Sequence, residues 1–178
     1  MKKNTKVYYL VEGAMIAALY VALTYSQELL LPGTTSMAVQ FRLSEILCIL
    51  CVFTPSAIWG LTVGTFLSNI ISLGALPLDM LFGTFATFVA VVLSYRLRNI
   101  RLFNLPILSS LMPVIANGII IGLEIEIFFI KGGFHFGSFL LQGGLVALGE
   151  FLVCVVLSLP FYSLINHSKL FDKIHKHI

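Results

Sequence analysis

The sequence predicts an all-α integral membrane protein, a bundle of six transmembrane helices in one domain that comprises residues 1–178. Three observations lead to this fold class. Hydrophobic residues make up 58% of the chain and charged residues only 11%, whereas about a quarter of the residues are charged in a soluble domain. The apolar residues form separate segments, and the basic residues collect on one side of the predicted bundle. Lipid must therefore be the solvent for much of the surface, because too few polar side chains remain to cover it.

Proline and glycine divide the chain into six apolar segments. They cover approximately Val7–Ser26, Leu43–Phe53, Ala57–Leu73, Leu78–Tyr95, Leu105–Phe128 and Phe139–Ile165. Six helices of roughly 20 residues each would use about two-thirds of the chain, which leaves no room for a soluble domain. The second segment is short for a span. The stretch Leu29–Gln40 before it is the longest connection and a candidate lid or re-entrant loop.

Lysine and arginine predict the orientation of the bundle. With six helices, the amino terminus, the connection between the fourth and fifth helices and the tail lie on the same side of the membrane. These regions hold nine of the 11 basic residues, namely Lys2, Lys3, Lys6, Arg96, Arg98, Arg101, Lys169, Lys173 and Lys176. Only Arg42 and Lys131 lie on the other side. Because cytoplasmic loops carry the excess of positive charge, we expect both termini in the cytoplasm.

Acidic residues inside the apolar segments are the strongest functional signal. Seven of the eight lie within or at the ends of these segments, namely Glu12, Glu28, Glu45, Asp79, Glu124, Glu126 and Glu150. A carboxylate at the centre of a bilayer costs about 2.5 kcal/mol or more, so such groups remain only where they face protein, water or a ligand. They are therefore candidates for a binding site.

The predicted topology gathers polar residues of five helices in the outer half of the bundle. The candidates for substrate binding are Gln40, Arg42, Glu45, Asn69, Asp79, Asn117, Glu124, Gln142 and Glu150. The inner half is almost free of polar residues apart from Glu12. Hydrogen-bonding groups in an otherwise apolar wall indicate a pocket that opens to the outside.

Helical geometry separates the candidates on the fifth segment. Asn117 and Glu124 are seven residues apart and share a face, whereas Glu126 lies about 200° around a regular helix from Glu124. We therefore expect Glu124 to face the cavity and Glu126 to reach the outer interface. Glu150 lies in the middle of the sixth segment among glycines, where a functional role is favoured.

Two further candidates have a structural explanation as well as a functional one. Arg42 and Glu45 are three residues apart, so an ion pair on the helix explains them about as well as ligand binding does. Asp79 follows Pro77 in a first helical turn, where a carboxylate complements the helix dipole. The sequence leaves both alternatives open.

The first segment carries small residues at regular spacing. Ala14, Ala18 and Ala22 recur every fourth residue, and Gly13 and Ala17 form a second pair. This spacing lets another backbone approach closely. The partner is either a helix of the same bundle or another membrane protein.

The chain lacks the motifs that would indicate an enzyme. It has no G-x-x-x-x-G-K-[ST] loop for ATP, no H-E-x-x-H and no serine in a nucleophile-type glycine turn. Cys48, Cys51 and Cys154 lie in apolar segments, and no histidine or further cysteine lies near the first two in sequence to complete a metal site. We interpret them as small apolar residues and expect neither a metal nor a cofactor.

Several short motifs occur in a specific order along nearly the whole chain. They are AMIAALYVALT at 14–24, QFRLSE at 40–45, FTP at 53–55, GLTVGTFLSN at 60–69, DMLFGT at 79–84, NGIIIGLE at 117–124 and the Gly149-Glu150 pair. Together they resemble the queuosine-precursor transporter (QueT) family, substrate-binding S-components of energy-coupling factor (ECF) transporters.

The resemblance implies a six-helix bundle of the ECF S-component type in a prokaryotic cell membrane, which binds its substrate from outside. It also implies partnership with a transmembrane coupling subunit and two cytoplasmic ATPase subunits. In such proteins the alanine face of the first helix docks the coupling subunit, which here points to Ala14, Ala18 and Ala22. The implied substrate is a 7-deazaguanine such as preQ1, preQ0 or queuine, and no nucleic acid is involved.

The polar residues suit such a substrate. A guanine-like ring offers adjacent N–H donors to a carboxylate, which Glu124 or Glu150 can supply, and a carbonyl to an amide, which Asn117, Gln142 or Gln40 can supply. A second carboxylate can meet the cationic aminomethyl group of preQ1. The alternatives are an S-component or stand-alone carrier for another vitamin-like molecule, and a membrane scaffold that binds nothing. The intramembrane carboxylates argue against the scaffold.

Overall fold

Helices account for nearly all of the chain that the computed structural model describes, which comprises residues 5–32, 34, 41–71, 77–168 and 171. The α-helices are α1 (Thr5–Leu30), α2 (Ser56–Ile71), α3 (Pro77–Arg96), α4 (Ile107–Glu124), α5 (Phe136–Phe151) and α6 (Ser158–Ser168). A 3₁₀ helix, Leu43–Val52, lies between α1 and α2. One π-helical segment, Ile125–Phe129, continues α4, and a second, Leu152–Leu157, joins α5 to α6. The all-helical prediction is confirmed.

Three helical stretches within the described residues are long and apolar enough to cross a membrane. They are Lys6–Leu30, Ile107–Phe129 and Phe136–Ser168, and three shorter apolar helices comprise Leu43–Val52, Ser56–Ile71 and Met80–Arg96. These stretches correspond in order to the six predicted segments. Leu10, Met15 and Trp59 are each about 70% exposed. So much apolar surface suits a lipid environment and not water.

The 3₁₀ helix lies at the centre of the bundle. It contacts α1, α2, α3, α4, α6 and the second π-helical segment, and all of its residues except Leu43 and Ile46 are buried. Its apolar side chains join the main core, where Leu47 and Cys51 pack with Tyr20 of α1 and Leu61 of α2. A 3₁₀ helix of ten residues is uncommon in isolation. Tertiary packing on all sides therefore stabilises it here.

Glycine brings two pairs of helices into close contact. A Cβ atom at Gly60 of α2 would lie 2.5 Å from the Gly13 carbonyl oxygen of α1, and one at Gly143 of α5 would lie 2.6 Å from the Gly118 carbonyl oxygen of α4. Small residues allow such backbone contact inside membranes, where van der Waals packing drives association. The two close pairs hold α1 against α2 and α4 against α5.

Candidate functional site

The inner face of α1 carries polar side chains that point at the 3₁₀ helix. The Tyr20 hydroxyl donates to Glu45 Oε1 at 2.5 Å, and Thr24 Oγ1 lies 2.8 Å from Ser44 Oγ. All four side chains are buried. Tyr20 and Thr24 are one helical turn apart, so one face of α1 positions the first turn of the 3₁₀ helix.

Gln27 extends this face by a further turn. Its Oε1 accepts the Leu43 N–H at 2.7 Å, and its Nε2 donates to the Phe41 carbonyl at 2.5 Å and to Thr34 Oγ1 at 2.9 Å. The amide thereby satisfies backbone groups at the start of the 3₁₀ helix, where no helical partner is available. Sequence reasoning missed Tyr20, Thr24 and Gln27. Their spacing along α1 was the signal that could have identified them.

Glu45 and Glu150 form a buried carboxylate pair. An oxygen of each carboxylate and the Cys154 sulfur all lie within 4.8 Å of one another, and the two residues are 1% and 3% exposed. The Cys48 thiol donates to Glu45 Oε2 at 2.9 Å, and the Cys154 thiol donates to Glu150 Oε2 at 3.3 Å. Residues 105 positions apart in the chain thus meet in the core.

Cys48 and Cys154 make polar contacts that their interpretation as small apolar residues did not include. Cys48 and Cys154 are buried in helix contacts, as expected, but each points its sulfur at a carboxylate. Cys154 also lies 3.6 Å from the Glu45 carbonyl oxygen. Cys48 and Cys154 lie one helical turn after Glu45 and Glu150 in the sequence, and the fold brings Cys154 close to Glu45 as well. Glu45, Glu150 and Cys154 are the described residues with donors close enough to hold a cation together.

Amide and guanidinium groups surround the carboxylate pair. Asn117 of α4 hydrogen-bonds to Glu150, and the charges of Glu45 and Arg42 both act on that carboxylate. Arg42 Nη1 donates to Asn69 Oδ1 at 3.4 Å. Four residues predicted to bind substrate, Arg42, Glu45, Asn117 and Glu150, thus form one electrostatic cluster, and Asn69 joins it through Arg42.

Gly83 of α3 lies beside the Arg42–Asn69 contact, and a side chain at this position would crowd the Asn69 amide. A Cβ atom there would lie 3.0 Å from Asn69 Nδ2 and 4.0 Å from Arg42 Nη1. The same region contains buried hydroxyl groups that find no hydrogen-bond partner in the described part of the chain, those of Thr65, Ser68 and Thr84. Thr62, by contrast, donates to the Ile58 carbonyl one turn earlier. Buried polar atoms are nearly always paired, so three unpartnered hydroxyls in one region are an exception to that rule.

Glu124 and Glu126 are both buried, each 1% exposed. Glu126 Oε1 accepts the His135 N–H at 2.8 Å, and the Ser138 side chain also hydrogen-bonds to Glu126. Glu126 thereby ties the first π-helical segment to the start of α5. Its side chain is buried against the connection that precedes α5, and its position at the outer membrane interface stays a prediction.

Each buried carboxylate of the interior adjoins a departure from α-helical geometry. Glu45 lies in the first turn of the 3₁₀ helix, and Glu124 immediately precedes the first π-helical segment. Glu150 lies two residues before the second π-helical segment, which contains Cys154. Such segments are frequent at functional sites, where they redirect side chains and backbone groups.

Of the remaining predicted residues, the structure describes the side chain of Gln142. Gln142 is half-buried on α5, two turns or about 12 Å before Glu150 along the helix. Gln40 lies outside the described residues. Asp79 belongs to the first turn of α3, but its side chain is outside the described part of the structure.

The small residues of α1 divide between two faces. Gly13 and Ala17 face α2, where a Cβ at Gly64 would lie 3.2 Å from the Ala17 backbone. The second set, Ala14, Ala18 and Ala22, is exposed on the outside of the bundle. Beside Ala14, a groove of about 680 Å³ between α1 and α2 is lined by residues that include Leu10 and Trp59. The outer alanines are therefore not needed for packing within the described bundle.

Comparison with known proteins identifies the family. The sequence profile of the QueT transporter matches residues 10–167. The chain belongs to the QueT transporter family. It is also 34% identical over 98 residues to the queuosine precursor transporter QueT of Lactococcus lactis subsp. cremoris (strain MG1363). That alignment covers 53% of this chain and 54% of the relative, so the match spans about half of each protein. No solved structure matches the chain.

Membership of a transporter family agrees with the character of the site. Three helical stretches of the described residues are long and apolar enough to cross a membrane, and the family is named as one of transporters. A buried cluster of charged and amide groups in such a bundle is where a transported polar molecule can replace its lost hydration.

Proposed function

We propose that this chain is the substrate-binding S-component of an ECF-type importer and captures a queuosine precursor from outside the cell. The substrate is a 7-deazaguanine such as preQ1, preQ0 or queuine. The observation that carries the proposal is the cluster of Glu45, Asn117 and Glu150, buried in the core of an apolar helix bundle, with the half-buried Arg42 beside them. Packing alone does not need four such groups, since each costs desolvation free energy.

The cluster offers the groups that a guanine-like ring requires. Glu150 is a carboxylate that can accept two adjacent N–H donors, and Asn117 at its side provides an amide for a ring carbonyl. Glu124 and Gln142 extend the proposed binding surface in the outer half of the bundle, and Gln40 and Asp79 stay predicted members of it. The Thr65, Ser68 and Thr84 hydroxyls supply further polar contacts from α2 and α3.

We infer the orientation of the chain in the membrane from the distribution of its basic residues. Six spans with both termini in the cytoplasm leave nine of the 11 basic residues on the cytoplasmic side. Arg42 and Asn69 then lie in the outer half, so the substrate enters from outside.

The partners in the proposal are a transmembrane coupling subunit and two cytoplasmic ATPase subunits. The chain has no P-loop of its own, so ATP must be hydrolysed elsewhere. Ala14, Ala18 and Ala22 form an exposed strip of small side chains on α1, where a partner helix can approach closely. The coupling subunit would bind this strip.

Mass spectrometry of the molecule that co-purifies with the detergent-solubilised chain tests the proposal. We expect a 7-deazaguanine, and we expect calorimetry to show at least about tenfold weaker binding in Glu150→Gln and in Glu124→Gln, since one charge-assisted hydrogen bond contributes that much. Glu12→Gln is the matched control. Its carboxylate accepts a hydrogen bond from Thr54 at 2.8 Å, away from the cluster.

Two results would contradict the proposal. If the Glu150→Gln and Glu124→Gln variants both bind a 7-deazaguanine as tightly as the parent, the buried carboxylates are not its ligands. If uptake persists in cells without the coupling subunit, the chain is a stand-alone carrier and not an S-component.

A further inference from the structure

The groove between α1 and α2 lies outside the cluster proposed to bind the substrate. Its volume is about 680 Å³, and its lining residues lie between Lys6 and Ala17 on α1 and between Pro55 and Val63 at the start of α2. From Lys6 to Ala17 an α-helix rises about 16 Å. This length is close to one leaflet, which is half of a hydrocarbon core about 30 Å thick. In a bilayer the groove would therefore reach from one surface to about the middle.

The polar residues that line the groove all belong to the first two turns of their helices. They are Lys6 and Tyr9 of α1 and Ser56 and Trp59 of α2. The lining residues further along the two helices are small or apolar, namely Gly13, Ala14, Ala17 and Val63. The Lys6 ammonium forms no ion pair with a carboxylate in the described part of the chain. One end of the groove thus offers a positive charge, and the rest offers an apolar surface.

The Ser56 hydroxyl is the observation that points to a bound molecule. Ser56 lines the groove and is 3% exposed, and its hydroxyl finds no hydrogen-bond partner among residues that the structure describes. Ser158 and Ser163, by contrast, each donate to a backbone carbonyl one turn earlier. Because a buried hydroxyl nearly always has a partner, an oxygen atom from outside the chain would complete this position.

We infer that the groove binds an anionic phospholipid, with an acyl chain between α1 and α2 and the head group at Lys6 and Ser56. The Lys6 ammonium complements the charge of the phosphate, and the Ser56 hydroxyl can donate to a phosphate or ester oxygen. The inference goes beyond substrate capture and rests on the proposed function for orientation alone, which places this end of α1 in the cytoplasmic leaflet. Anionic lipids concentrate there, and basic pockets between transmembrane helices on that side bind their head groups.

A lipid fits the groove better than a helix of another protein does. A charged end followed by an apolar length is the pattern of an amphiphile. A partner helix that packs on small residues follows a strip along the helix, and of the strip Ala14, Ala18 and Ala22 only Ala14 lines the groove. The lipid site and the proposed docking strip therefore overlap at Ala14, so the lipid must leave this position when the coupling subunit binds.

Trp59 makes the unaltered chain its own reporter, because it is the only tryptophan in the sequence and lines the groove. Bromine atoms on an acyl chain quench tryptophan fluorescence on contact. The full chain is reconstituted in phosphatidylcholine liposomes that contain a fixed fraction of brominated phosphatidylglycerol or of brominated phosphatidylcholine. We expect the anionic lipid to compete about fivefold more strongly for the quenching position, which is the contribution of about one basic residue.

Three variants assign this preference to the groove. Lys6→Gln should lower the preference to about twofold or less, whereas Lys131→Gln, which removes an equal charge from the connection before α5, should keep it. Ala14→Phe places a ring in the groove and should abolish the preference. Retention of the preference in Lys6→Gln would overturn the inference, because the charge of the whole surface would then be its cause.

The remaining outcomes separate the inference from the proposed function. Equal quenching by the two lipids in the unaltered chain overturns the inference and leaves substrate capture in place. If that equal quenching ends when the coupling subunit is added, the groove belongs to a partner helix and not to a lipid. A chain that prefers the anionic lipid but binds no 7-deazaguanine supports the inference and contradicts the proposed function. Because the first comparison needs no substitution, it holds even if a variant does not fold.

Discussion

The two faces of α1 carry small residues at the same spacing and have opposite surroundings. Gly13 and Ala17 face α2, and the same side of the helix continues into Tyr20, which is buried against Glu45. Ala14 and Ala18 lie one position further along and are exposed. Spacing alone therefore does not say whether a small residue serves packing within the chain or contact with another protein. The side of the helix on which it lies decides this.

The two faces of α1 also predict which substitutions lower the stability of the chain and which affect its contact with a partner. A change on the inner face disturbs close contacts or buried hydrogen bonds, so the free energy of unfolding should fall. A change on the outer face alters an exposed side chain, so it should act chiefly on a partner. Four substitutions test this division, and all can be measured by denaturant titration of the detergent-solubilised chain.

Gly60→Ala should have the largest effect on stability. Its Cβ would lie 2.5 Å from the Gly13 carbonyl oxygen and 2.9 Å from Ile16 Cβ, so α1 and α2 must move apart. We expect a loss of about 3 kcal/mol, at the upper end of the range for overpacking. Gly144→Ala is the matched control, because no atom lies within 4 Å of the added methyl group. A Gly60→Ala variant as stable as that control would show that the close contact does not limit packing.

Tyr20→Phe should have the next largest effect. It removes the hydroxyl that donates to Glu45 at 2.5 Å and leaves a buried carboxylate oxygen with one donor fewer. The expected loss is about 2 kcal/mol, within the range for an unsatisfied buried group. Tyr25→Phe changes the same atoms on a side chain that is 49% exposed and should be nearly neutral. Equal losses in the two variants would contradict a structural role for the Tyr20–Glu45 contact.

Thr24→Val should cost about 1 kcal/mol, the usual contribution of one buried hydrogen bond. The Thr24 hydroxyl contacts Ser44 Oγ at 2.8 Å and so connects α1 with the 3₁₀ helix. Thr62→Val removes a hydroxyl that bonds only within its own helix, at the Ile58 carbonyl, where little stability is expected. The difference between the two variants measures the contribution of the inter-helix contact, and no difference would mean that Thr24 acts only within α1.

Ala18→Leu should change the stability of the chain least, by less than about 0.5 kcal/mol, because Ala18 is exposed. Under the proposed function it should nevertheless abolish co-purification with the coupling subunit and ATP-dependent uptake. Ala17→Leu, one position earlier but 6% exposed, should instead destabilise the chain. If Ala18→Leu leaves assembly and uptake intact, the outer face of α1 is not the docking surface.

Much of the fold could be read from the sequence because lipid imposes a simple requirement. Each apolar segment must satisfy its own backbone hydrogen bonds, so segments of this length become helices. The six segments indeed appear as helical stretches in the same order. The spacing of Asn117 and Glu124, and the position of Glu150 inside an apolar helix, likewise pointed to residues that the structure buries.

The site geometry could not be derived in this way. The burial of Glu126 could not be predicted, because its contact with the His135 N–H depends on how the residues before α5 fold back. Packing against several neighbours stabilises the 3₁₀ and π-helical segments, and local sequence patterns carry little information about such contacts. The roles of Tyr20 and Gln27 were missed for a similar reason. Both residues are ordinary in a helix, and only the position of the 3₁₀ helix reveals what they bind.

The sequence by itself determined that this chain is a helical membrane protein with carboxylates in apolar surroundings, because composition and the cost of buried charge are properties of individual residues. Only the tertiary structure decided that Glu45 and Glu150 form a pair, that Cys48 and Cys154 donate to them, and which small residues of α1 remain exposed. Those facts depend on distances between residues far apart in the chain. Such distances follow from how the helices pack together, and no single segment encodes that arrangement.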